Sequence, residues 1–142
     1  MKISTEIPKM GTHSLIIMRV KQDDETYRVW SVLYQQFDGY VQGVGLDLVT
    51  FLRDMKIVNG FDPYHKDKQA NGPGCLFAQI ISHFKKDVGG AYLEDPTDIE
   101  LAEYNYYVDV SNMTINVKLQ YGETVLHEGS PSDVLNKITV IK

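Results

Sequence analysis

Apolar positions change their spacing twice along the chain. The first stretch, 12–21, is rich in Ile, Leu, Val and Met, and a polar Gln22-Asp23-Asp24-Glu25 segment separates it from a second apolar-rich stretch from Tyr27 to about Gln35. Two such runs around a polar turn predict an antiparallel strand hairpin. Leu48, Val49, Leu52 and Met55 then recur three and four residues apart, which predicts an amphipathic helix over roughly 46–56. Phe77, Ile80, Ile81 and Phe84 predict a second helix over roughly 74–87, ending near Gly89-Gly90. Between the helices, 57–73 reads as loop, with Asn59-Gly60, Asp62-Pro63 and Asn71-Gly72 as turn dipeptides.

The spacing becomes two in the last third. Tyr104, Tyr106, Val108 and Val110 alternate with Asn105, Tyr107, Asp109 and Ser111. Met113, Ile115, Val117, Leu119 and Tyr121 alternate with Thr114, Asn116, Lys118 and Gln120. This predicts two strands with one buried and one wet face, joined at Ser111-Asn112, and a third strand near 124–128. Ser130-Pro131-Ser132-Asp133 supplies an N-cap, a proline at the first helical position and an early acid, so a short helix over 131–137 is expected. An edge strand over 138–141 would follow.

Strand pair, helical block and strand meander, in that order, predict an α+β fold. It would have a mainly antiparallel sheet, built from an N-terminal hairpin and a C-terminal meander, with two main helices packed on one face. Strands and helices do not alternate, which disfavours a doubly wound sheet. A length of 142 residues fits a single domain over 1–142, with 1–10 as a loose lead-in.

Composition adds limits. Hydrophobic residues make up 43% and charged residues 23%, as in ordinary globular proteins. The net charge is −5, so a nucleic acid polymer, which demands a basic surplus, is not the expected partner. The acid is concentrated: 87–117 holds Asp87, Glu94, Asp95, Asp98, Glu100, Glu103 and Asp109 with no Lys or Arg. The remainder is slightly basic and compatible with a small anionic ligand. The single cysteine, Cys75, allows no intrachain disulfide and fits a reducing compartment. Neither a signal peptide nor a membrane span is expected, which points to a cytoplasmic setting.

The passage most suggestive of chemistry is the strand–glycine loop–helix segment. Gly39, Gly43 and Gly45 precede the first predicted helix, and Asn71-Gly72-Pro73-Gly74 precedes the second. Helix starts leave amides unpaired and glycine lets backbone approach an anion, so the two starts could converge on phosphates. The same glycines would equally serve tight turns and close packing. Beside the first loop, Tyr34, Gln36, Phe37, Asp38, Tyr40 and Gln42 offer rings to stack on a base and polar groups to read its edges. Cys75 at a helix start could be a nucleophile if His13, His65 or His127 approached it, or a buried small hydrophobe. Asp62, His65 and Asp67 have no recognised metal spacing, and no metal or other cofactor is expected.

Gly11-Thr12-His13-Ser14-Leu15, Tyr34-Gln35-Gln36-Phe37-Asp38-Gly39-Tyr40 with Gly43 and Gly45, Asn71-Gly72-Pro73-Gly74-Cys75-Leu76, and His83-Phe84 together resemble a family of small proteins encoded largely by phages and prophages. That family begins near a Gly-Thr-Arg-Ser-Leu motif and carries a Gln-Phe/Trp-Asp-Gly-Tyr loop followed by glycines. The resemblance covers about 11–130. His13 stands where the family usually has arginine, so it would hold an anion only when protonated.

The leading expectation is a small-molecule-binding protein whose ligand is anionic or nucleotide-like. Its site would comprise Gln36, Asp38, Gly39, Tyr40, Gly43, Gly45, Asn71, Gly72, Gly74 and His13. The phage resemblance implies a counter-defence factor that sequesters a nucleotide immune signal in the host cytoplasm. Homo-oligomerisation is suggested by the apolar and aromatic strand surface in 104–121. Two alternatives are a hydrolase acting on a similar ligand and a protein-binding inhibitor using the acidic 87–109 surface.

Overall fold

The computed structural model describes residues 11–60, 63–64 and 68–139. The lead-in over 1–10, the Asp62-His65-Asp67 group and residues 140–142 lie outside these. Strands β1 (Ser14–Lys21) and β2 (Tyr27–Gln35) form the expected antiparallel hairpin, with Leu15 opposite Tyr34 and Ile17 opposite Val32. A bulge falls between Met18 and Arg19, opposite Ser31 and Val29, and leaves Trp30 as the extra residue of β2.

Val41–Gly45 is one turn of wide π-type helix that runs directly into α1 (Leu46–Leu52). The predicted first helix therefore starts earlier and ends earlier than the spacing implies. Asp54, at φ 65°, breaks it, and the chain turns into β3 (Lys56–Val58). β3 pairs in parallel with β4 (Gln69–Asn71), so part of the predicted loop over 57–73 is a two-stranded sheet. Helix α2 (Gly72–Phe84) follows, with Pro73 in its first turn. A strand absent from the sequence reading, β5 (Ala91–Glu94), pairs with the end of β2.

The meander is as expected: β6 (Tyr104–Ser111), β7 (Thr114–Tyr121) and β8 (Thr124–Gly129) run antiparallel. Asn112 and Met113, both at positive φ, form the β6–β7 turn. Helix α3 (Pro131–Thr139) then occupies the first part of the predicted 138–141 edge strand. Its buried Val134, Leu135 and Ile138 continue the helical stripe instead.

The six strands lie in the order β5-β2-β1-β6-β7-β8, and every pairing is antiparallel except β1 with β6. All three helices bear on one face. Ile16, Met18, Leu33, Tyr106, Val108, Val117 and Leu119 from the sheet meet Leu48, Val49, Leu52, Leu76, Ile80 and Val134 from the helices in one core. The apolar side of 104–121, from which self-association was expected, is thus covered by the chain's own helices. The opposite face buries only a small cluster, Leu15, Ile17 and Val32, beneath Ile99 and Ala102 of the β5–β6 connection. Two polar residues on that supposedly wet face are nonetheless buried. Asn105 is tied by its side-chain amide to Ala102 and Gly122, and Asp109 is paired with Arg19. No helix among the described residues is long and apolar enough to cross a membrane.

Candidate functional site

The Gly11–Leu15 and Phe37–Gly45 segments meet at one end of the sheet. The Gly39 amide donates to the Thr12 carbonyl at 3.0 Å, and the buried Tyr106 hydroxyl donates to the Gly39 carbonyl at 2.5 Å. Both polar groups of the Gly39 backbone are therefore occupied. A Cβ at this position would sit 2.7 Å from the His13 carbonyl carbon and 2.8 Å from the Ser14 nitrogen, so the backbones pack too closely for any side chain.

The glycine-loop amides do not form an anion cradle. Gly43 donates to the Tyr40 carbonyl at 2.9 Å, Val44 to the Asp38 carbonyl at 2.9 Å, and Gly45 to the Tyr40 carbonyl at 3.5 Å. A Cβ on Gly43 would lie 2.2 Å from the Asp38 oxygen, and one on Gly45 would meet the Tyr106 ring. The glycines therefore satisfy packing, because the chain folds back into the π turn and spends these donors on itself.

The two glycine-rich helix starts do not converge either. Gly74 at the start of α2 lies beside Trp30, whose ring meets Phe77 edge-on at 5.8 Å. The other end of α2 reaches Ala91, whose carbonyl accepts from Lys85, and Ala91 is opposite Gln35 in the sheet. Helix α2 thus runs along β2, with its N-terminus at Trp30 and its C-terminus at Gln35. At ~3.3 Å per residue the two loops are about 16 Å apart along that strand. Asn71, Gly72 and Gly74 are consequently separated from the rest of the expected site. The Asn71 side-chain oxygen accepts from the Gly60 amide and ties down the intervening loop. Cys75 packs against the core with the Gln79 amide 3.5 Å from its sulfur, and no histidine among the described residues bonds to it.

Gln36, Asp38, Tyr40 and His13 do gather with the glycine loop at one end of the sheet. The Gln36 amide donates to the Gly90 carbonyl at 2.8 Å, joining this end to the loop that follows α2. Asp38, at φ 55°, accepts from the Tyr40 hydroxyl at 3.2 Å, and this bond with the Asp38 charge raises the Tyr40 phenol above its ordinary range. His13 lies on the other side of the sheet, edge-on to Tyr34 at 5.4 Å.

Two clefts, each about 300 Å³, open at this end. One lies between Phe37 and the 86–90 loop and is lined by Gln35, Phe37, Phe84, Lys86, Asp87 and Gly89-Gly90. Phe37 is 52% exposed there, on a loop whose backbone is locked from both sides. The other lies over the sheet's opposite face and holds His13, Tyr34, Glu94, Glu100 and Glu103. Its carboxylates and lack of Lys or Arg make it unsuited to an anion. Burial, and then the Glu94 charge, raises the Tyr34 phenol. The sequence reading missed Lys86 and the 86–90 loop because only β5, itself unforeseen, brings them beside Phe37. A larger depression of about 480 Å³ lies elsewhere, between β3, the β6–β7 turn and the start of α3. No cluster of His, Cys, Asp and Glu among the described residues has the geometry to hold a metal ion.

Compared with models of known families, with curated proteins and with solved structures, the chain matches none.

Proposed function

We propose that the protein binds a small planar anion of nucleotide type in the cleft between Phe37 and the 86–90 loop. The observation that carries this is the Phe37 ring, half out in solvent on a rigid loop, with Lys86 across the cleft. An exposed ring fixed by its own backbone offers a face on which a base stacks at little cost in ordering. Lys86 supplies the charge for a phosphate, and the amides around Gly89 and Gly90, both at positive φ, supply donors. Gln36 and Asp38 flank the ring and suit the polar edge of a base. Binding is retained without chemistry, which is sequestration. The resemblance to phage proteins makes nucleotide immune signals the first ligands to try and counter-defence the corresponding role.

The test is retention. The protein is incubated with linear and cyclic mono- and dinucleotides, separated from free ligand, denatured, and the released compound analysed. Intact release that is lost in both Phe37→Ala and Lys86→Glu supports the proposal. Altered products make the protein a hydrolase, and absence of retention across the panel overturns the proposal.

A further inference from the structure

We propose that the second cleft, on the sheet face away from the helices, is a docking site for a basic, extended segment of a partner protein. The cleft's charge supports this first. Glu94, Glu100 and Glu103 line it, with no Lys or Arg among the lining residues. They belong to a stretch, 87–117, that carries seven acids and no Lys or Arg, so the field over the whole region attracts cations. Lys85, whose ammonium lies over the adjacent Tyr92 ring, is held by the carbonyls of Gly89 and Ala91.

The walls fit a lysine or arginine side chain. Tyr34 stands between His13 and Tyr92, at ring separations of 5.4 and 6.2 Å, and offers a ring face to a cation. The buried Leu15 forms an apolar floor for the methylene stem. A volume of about 300 Å³ is at the small end for a ligand pocket and suits one side chain better than a large molecule.

The surroundings favour a peptide over a free amine. Leu101, 39% exposed, lines the cleft among the carboxylates, and the half-exposed Tyr92 borders it opposite Tyr34. Such an apolar border with an acidic centre is covered by a polypeptide that places basic and apolar residues alternately, and a free amine leaves it wet. This site is distinct from the Phe37 cleft, so the two proposals stand or fall separately.

The experiment measures binding of fluorescent peptides by anisotropy at low salt. The probes are a short peptide alternating lysine with valine, its counterpart with glutamate for lysine, and the free diamine cadaverine as competitor. The lysine peptide should bind and the glutamate peptide should not. Glu94→Gln/Glu100→Gln/Glu103→Gln, three exposed changes that keep side-chain shape, should weaken binding at least about tenfold. Leu101→Ser should weaken the peptide while leaving competition by cadaverine unchanged. Failure of the lysine peptide to bind, or binding indifferent to the triple substitution, overturns the proposal. Cadaverine competing as tightly as the peptide, with Leu101→Ser neutral, also overturns it in favour of a small-amine site.

Discussion

Arg19 and Asp109, neighbours across the one parallel pairing of the six-stranded sheet, form a two-pronged ion pair. The guanidinium donates from Nε to Oδ1 at 2.7 Å and from Nη2 to Oδ2 at 2.8 Å. It is held between the Tyr27 and Tyr107 rings, 4.5 and 4.3 Å from their centres. The Asp109 side chain is only 4% exposed, and among the described residues Arg19 is the cation paired with it. Arg19→Met should therefore cost ~3–5 kcal/mol, because it strands a buried carboxylate. Arg19→Met/Asp109→Leu should recover most of that loss, and urea unfolding of the three proteins measures both numbers.

Tyr106 gives the fold a dependence on alkaline pH. Burial, reinforced by the neighbouring Tyr104 and Glu103, drives its phenol far above the ordinary range. The folded protein then keeps the proton that the unfolded chain loses near pH ~10. Stability from this residue is complete below that pH and falls by up to ~1.4 kcal/mol per pH unit above it. Tyr106→Phe should lessen the slope of stability against pH above 10. At neutral pH it should cost ~1–3 kcal/mol, since the Gly39 carbonyl loses its donor.

Gly39→Ala should destabilise the protein by ~1–3 kcal/mol or more, since the new methyl meets backbone atoms of His13 and Ser14 that cannot step aside. Gly43→Ala should behave alike against the Asp38 carbonyl. Thermal melts of both, read before any ligand is added, check that these glycines act on the fold.

Ser14 is fully buried and its hydroxyl has no hydrogen-bond partner among the described residues. Ser14→Ala removes a polar atom that folding strips of water without replacement, and should raise stability by up to about 1 kcal/mol. A loss of stability in denaturant titration would show that the hydroxyl is satisfied in solution.

Cys75→Ser should leave nucleotide retention at the Phe37 cleft unchanged, because the thiol sits in the first turn of α2, at the far end of β2. A marked loss of retention would restore the thiol to the binding chemistry.

The fold class was legible because period two and period 3.6 are imposed by burial, and burial here is simple: one sheet face under three helices. The strands at 27–35, 104–111 and 114–121 fall where their apolar runs place them, and 114–121 alternates over most of its length. β5 was hidden because Tyr92, Leu93 and Glu94 are all exposed, so the strand lacks an inward-facing pattern beyond Ala91. The π turn was hidden because its glycines read as an anion loop, whereas the deciding fact is the approach of His13 and Asp38 backbone atoms, which are distant contacts or local folding choices invisible in composition. The same holds for Arg19 and Asp109, ninety positions apart along the chain. The gathering of His13, Gln36, Asp38 and Tyr40 at one end follows from the hairpin register. The separation of Asn71, Gly72 and Gly74 follows from the direction of α2, which no local pattern specifies.

Pairing β1 directly with β6 also sets an order of events during synthesis. The first hairpin leaves the ribosome with Leu15, Ile16, Ile17 and Met18 pointing to both sides and nothing yet to lie against the inner edge. That edge stays unzipped until residues 104–110 have been made, so the early half must wait, sticky and unsealed, for the late half. Slow translation or truncation before β6 should therefore yield clumped chains, a liability fixed by where one strand was threaded into the middle of the sheet.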